Sequence, residues 1–120
     1  MDSKTTLDEL KKRVEEFCEI RDWDQFHNIK DLSIALSIES SELLEIFRWK
    51  TKEEIVELIN NKNKIEDVED ELADILYFLL RIAQINNIDL TKSLIKKLEK
   101  NEKKYPIEKS KGSNKKYNEF

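Results

Sequence analysis

A single glycine, Gly112, in 120 residues restricts this chain more than any other feature. Tight hairpins lean on glycine and on Asn-Gly pairs, so a turn-rich β-sandwich is disfavoured. The same scarcity leaves no Gly-rich phosphate loop, no Rossmann turn and no P-loop. Apolar residues recur instead at helical spacing. Leu7, Leu10, Val14, Phe17 and Cys18 mark a first helix ending near Arg21. Residues 22–30, DWDQFHNIK, lose the period and read as a short ordered loop with two aromatics and the only His. A second helix is expected from about 31 to 48, with Leu32, Ala35, Leu36, Leu43 and Ile46 on one face. Thr51 and Glu54 form a capping box for a short third helix. A fourth helix is expected over residues 65–85, with the stripe Val68, Leu72, Ile75, Leu79 and Ile82. Asn86-Asn87 stops it, and Asp89 can cap a fifth helix bearing Leu90, Leu94 and Leu98. After Pro106 the chain is rich in Lys and Ser and has no period. The expected fold is an all-α bundle of four main helices plus a short one, over residues 1–106, with a basic C-terminal arm at 107–120.

Charge and apolar content narrow the function. Residues 96–117 hold nine Lys and three Glu within a chain of net charge −4, so an acidic body carries a basic end. A nucleic-acid binder could use that end, but the body would repel a phosphate backbone, so no nucleic acid is expected as partner. No apolar run spans a membrane, MDSKTTLDEL is no signal peptide, and one Cys forms no internal disulfide. A cytoplasmic chain is expected. Only 38% of the residues are hydrophobic, thin for so small a domain, and a second subunit is one way to complete the core.

Two carboxylate pairs stand where a core is expected. Glu39 and Glu42 are three apart on the second helix, with Glu39 in the middle of its apolar stripe and Glu42 on the rim. Glu71 and Asp74 repeat the spacing along one edge of the fourth helix. The spacing alone discriminates poorly, because with 26 acidic residues it recurs at Glu42–Glu45 and Asp67–Asp70. One alternative is therefore a non-catalytic helical interaction module whose acidic pairs merely solvate the bundle. The phase of Glu39 argues the other way, since burying an unpaired carboxylate costs several kcal/mol. Four carboxylates brought together need a cation, and hard oxygen donors without His or Cys select Mg²⁺ or Mn²⁺. A ferritin-like di-iron site needs Glu-x-x-His on two helices, and His27 lies outside both.

These pairs, with RDWDQFH at 21–27, ESSELLEIFRWK at 39–50, ELADILYFL at 71–79 and KYPIEKSKGS with KKY at 104–117, carry a resemblance. The chain resembles the MazG-like all-α nucleoside triphosphate pyrophosphohydrolases, and within them the dCTP pyrophosphatase subgroup, over residues 8–117. The resemblance implies Mg²⁺-dependent cleavage between the α- and β-phosphates, giving a monophosphate and pyrophosphate from dNTPs such as dCTP, in nucleotide-pool cleansing. It implies Glu39, Glu42, Glu71 and Asp74 as metal ligands, with Glu39 or Glu42 as general base. It places Trp23, Trp49 and His27 at the base, although large aromatics are most often packing residues. Lys97, Asn101, Lys104, Tyr105 and Lys111 are implied at the phosphates, with Lys116 also in the closing arm. Small relatives form homodimers or homotetramers that build each pocket from two chains. Val14 and Phe78 stand where vertebrate members carry a His and a Tyr, with Tyr77 adjoining, so strict cytosine selectivity is not implied.

Overall fold

The computed structural model describes residues 1–120 and contains six α-helices and no strand. Two compact units divide at Asn87 and Ile88. The first comprises α1 (Leu7–Glu19), α2 (Ile29–Ile46), α3 (Lys52–Ile59) and α4 (Ile65–Ile85), with a 3₁₀ turn at Asp24–Phe26. The second holds α5 (Leu90–Lys104), a short α6 (Ile107–Ser110) and a 3₁₀ turn at Tyr117–Glu119. The segment after Pro106 thus carries local order that its lack of period did not announce.

Polar side chains set the helix starts. Thr51 Oγ1 accepts from the Glu54 N–H at 3.2 Å while Glu54 Oε1 accepts from the Thr51 N–H at 3.3 Å, the expected reciprocal box. Thr6 and Glu9 do the same for α1. Asp89 Oδ1 caps α5 by accepting from the Lys92 N–H. Asn28 Oδ1 accepts from the Asp31 N–H, so α2 begins at Ile29, two residues before its expected start. Asn86-Asn87 ends α4 as expected, with Asn87 in the left-handed region at φ 53°. Asp22 adopts φ 55° just beyond α1. Short polar side chains tolerate that conformation.

In the first unit α4 packs most extensively on α2 and also on α1. The α2 stripe behaves as predicted: Leu32 is buried, and Ala35, Leu36, Leu43 and Ile46 are partly covered. The α4 stripe does not. Val68 is buried, but Leu72 and Leu79 are exposed, and the deepest residues near the C-terminal end of α4 are Leu80, Arg81 and Ala83. α4 touches two helices, so its buried arc is set by both neighbours rather than by its own apolar maximum. Ile34 and Ile38 on α2 and Leu72, Leu76 and Leu79 on α4 remain open apolar surface.

Candidate functional site

The α2–α4 packing brings together three of the four acidic residues singled out by their spacing. One carboxylate oxygen each from Glu39, Glu42 and Glu71 lies within 4.8 Å of the others. Glu39 and Glu71 are partly covered and Glu42 is exposed, as the core phase of Glu39 and the rim position of Glu42 require. Glu39 Oε2 and Glu71 Oε2 are buried without a hydrogen-bond partner. An unpartnered buried oxygen is costly, and a cation would satisfy it. Burial first, then contact with Glu71 and Glu42 and the charges of Glu42 and Asp74, push Glu39 up to about 7. Burial raises Glu71 as well, while its contact with Glu39 acts in the opposite sense. Asp74 is exposed and stands outside this group, one turn further along α4, but its charge raises both neighbours. Three carboxyl groups without His or Cys form a hard, all-oxygen donor set suited to a metal ion.

The residues expected at the base fall into two environments. Trp23 and His27 flank the 3₁₀ turn, their rings 6.2 Å apart, and Trp23 also meets Phe17 edge-on at 5.8 Å. Trp49 lies just past the end of α2, 87% exposed, with Arg48 over its ring at 5.3 Å. Its φ of 63° is a left-handed conformation that a bulky side chain rarely adopts. Trp23 therefore has packing partners, whereas Trp49 presents its indole to solvent from a strained turn.

The residues expected at the phosphates lie in the second unit. Lys97, Asn101 and Lys104 are on α5, with Tyr105 at its C-terminal cap. Asn101 is partly covered and the two lysines are exposed. Tyr105 is the hub of an aromatic cluster, meeting Tyr117 at 6.1 Å and Phe120 at 6.0 Å, both edge-on. Lys104 Nζ sits 4.9 Å from the Tyr117 ring centroid, a cation–π contact. The arm thus folds back on α5. Lys111 and Lys116 within it are exposed.

Two features had no place in the sequence reading. Cys18 Sγ on α1 and the Tyr77 hydroxyl on α4 are 3.1 Å apart, and burial together with that contact holds the hydroxyl well above its ordinary pKa range. Arg81, 2% exposed, binds His27, Gln84 and Asp24. The available signal was phase: Arg81 stands seven residues after Asp74 and four after Tyr77, on the face of α4 that carries both.

A model of the MazG-like family matches residues 34–120. The dCTP pyrophosphatase 1 of Bos taurus is 35% identical over 118 residues, covering 98% of this chain and 70% of that protein. The dCTP pyrophosphatase 1 of Homo sapiens is 33% identical over 115 residues, covering 96% and 68%. The crystal structure of a pyrophosphatase from Archaeoglobus fulgidus DSM 4304 superposes with a TM-score of 0.77 at 38% identity, covering 83% of this chain and 92% of that one.

Proposed function

The chain belongs to the MazG-like family as a nucleotide pyrophosphohydrolase of the dCTP pyrophosphatase type, and we propose that it cleaves dCTP and related dNTPs with Mg²⁺ held by Glu39, Glu42, Glu71 and Asp74. The observation that carries this reading is the pair of buried, unpartnered oxygens on Glu39 and Glu71, contributed by two different helices. Carboxylates aimed at each other from two neighbouring helices repel, and a cation between them offsets that repulsion. When bound, Mg²⁺ or Mn²⁺ supplies positive charge against the phosphate oxygens and makes water more acidic.

The chain's own groups do the rest. Glu39 and Glu42 stand side by side on one rigid helix, and one of them takes the proton of the attacking water as general base. Lys97 and Lys104 hold the β- and γ-phosphates as point charges, with Asn101 and Tyr105 on the same face and Lys111 and Lys116 closing from the arm. Trp23 and Trp49 stack on the base and His27 reads its edge. Residues 1–106 form the catalytic domain and residues 107–120 the closing arm. The open apolar surface of α2 and α4 supports a homodimer or homotetramer. No helix is long and apolar enough to cross a membrane, and a nucleotide-pool role is cytoplasmic.

A panel of nucleoside triphosphates with Mg²⁺, scored for pyrophosphate release, tests the activity. Hydrolysis in ¹⁸O-water locates the attacked atom. With one His, one Cys and no Gly-rich cradle, no nucleophile stands beside a base, so water attacks directly. The label is expected in the nucleoside monophosphate, with no early orthophosphate. Label in pyrophosphate, or orthophosphate with a diphosphate, would refute attack at the α-phosphorus.

A further inference from the structure

We propose that Arg81 is a positioning residue for the base pocket, holding His27 as its neutral Nε2–H tautomer so that the ring offers a nucleobase a hydrogen-bond donor and no acceptor. The proposal rests on reading Trp23 and His27 as part of the base pocket. Its geometry is independent of that reading. A guanidinium has five N–H donors, no acceptor, and keeps its charge at any ordinary pH. Arg81 Nε lies 2.9 Å from His27 Nδ1. The guanidinium can only donate, so Nδ1 must present its lone pair, and the one proton of the neutral ring is left on Nε2.

The same guanidinium fastens the whole loop. One terminal nitrogen donates to Gln84 Oε1 at 2.5 Å on α4, and the other is paired with Asp24 Oδ1 on the 3₁₀ turn. Trp23 precedes that turn and His27 follows it, so one buried cation anchors both ring-bearing ends to α4. Arg81 stands two turns from Asp74, about 10 Å along the axis. The loop anchor and the acidic centre therefore share one rigid helix.

A cavity of ≈ 260 Å³ is lined by Glu19, Asp24, His27, Arg81, Gln84 and Ile85. The charged groups facing the ring are thus Arg81 from α4, Asp24 from its own loop and Glu19 at the end of α1. Burial first, then the Arg81 charge, lower the His27 pKa from 6.5, and Asp24 opposes them incompletely. Protonation would set Nδ1–H against an Arg N–H, donor against donor and cation against cation. The ring stays neutral near pH 7. Nε2–H can bind only acceptors, such as a pyrimidine O2, a cytosine N3 or a purine N7. It cannot accept from an exocyclic amine.

His27 is the only histidine, so its signals need no assignment by mutation. Long-range ¹H–¹⁵N spectra of the full wild-type chain are expected to show unprotonated Nδ1 and protonated Nε2 at pH 7–8. Arg81→Lys, whose compact ammonium lacks the spread, planar donors of the guanidinium, should yield a mixture of tautomers. It should also raise KM for the preferred triphosphate about 3- to 10-fold, the value of one hydrogen bond, with kcat little changed. Should that variant fail to fold, Asp24→Ala removes the acceptor at the exposed end of the clamp and should shift KM the same way. His27→Asn, which keeps an N–H donor, should lose less than His27→Ala. A wild-type ring protonated on Nδ1 overturns the proposal, as does an unchanged KM in folded Arg81→Lys. Absence of turnover by the wild type with every triphosphate overturns the hydrolase reading itself, and this proposal with it.

Discussion

Glu39 is the residue at which packing and chemistry conflict most directly. It sits on the covered face of α2 with one oxygen unpartnered, and its pKa is pushed up to about 7 from 4.5. The native state therefore holds this proton more tightly than the unfolded chain does. The resulting stability is fully present below about pH 4.5 and is lost as pH rises towards 7. Metal-free protein is accordingly expected to melt at a higher temperature at pH 5 than at pH 7.5, and added Mg²⁺ should recover stability at the higher pH. Glu39→Gln should flatten this slope and hold or raise the metal-free Tm at pH 7.5, by about 4 °C for each kcal/mol relieved. The same change, and Asp74→Asn, should abolish turnover. Wild-type activity in either variant would sink the metal assignment, and collapse of both folds would make these residues structural. Trp49 offers a separable test, because it is exposed and its loss leaves no cavity. A stacked base is worth ~1–3 kcal/mol, so Trp49→Ala should raise KM about tenfold to a hundredfold with unchanged helical circular dichroism. Equal loss of affinity and helicity would make the indole a packing residue instead.

At the level of elements, caps and phase act separately. The α3 helix is eight residues long, too short to persist without its ends satisfied. Its capping box supplies two such bonds, and Leu58 is the residue it buries. Thr51→Ala is expected to cost about 1 kcal/mol in urea unfolding, with an unchanged m-value. An effect near zero would show that Leu58 packing alone holds α3. The α4 helix is different in kind. It touches α1 and α2, carries the acidic pair's second half, and ends beside the loop that Arg81 ties down. Glu71, Asp74 and Arg81 are thus set by a single backbone.

For the whole molecule, few side chains are buried: Cys18, Leu32, Leu58, Val68, Leu80, Ala83 and Arg81. Ile34, Ile38, Leu72, Leu76 and Leu79 are exposed apolar side chains on α2 and α4, which a second copy of the chain would cover. Light scattering is expected to give two or four times the 14.4 kDa chain mass. The double change Ile34→Lys, Leu79→Lys should yield a smaller species with reduced activity. A wild-type monomer of full activity would refute assembly.

Much of this was legible in the amino-acid order because its causes are local. Caps at Thr51 and Asp89, the Asn86-Asn87 stop and the span of α4 depend on groups a few residues apart, and each formed as expected. Glu39 was legible for the same reason, since one helix's periodicity places it against its own stripe. Other features depend on what lies across the fold. The buried arc of α4 is the sum of two contacts, so Leu72 and Leu79 turned outward although they continue its stripe. Asp74 shares the spacing of its partner, but only packing decided that Glu71 and not Asp74 joins the close group. Arg81 finds its partners only when α4 is laid against residues 24–27, which lie over fifty positions away. Local hydrogen bonding and periodicity determined the helices; long-range burial decided which charges had to find one another.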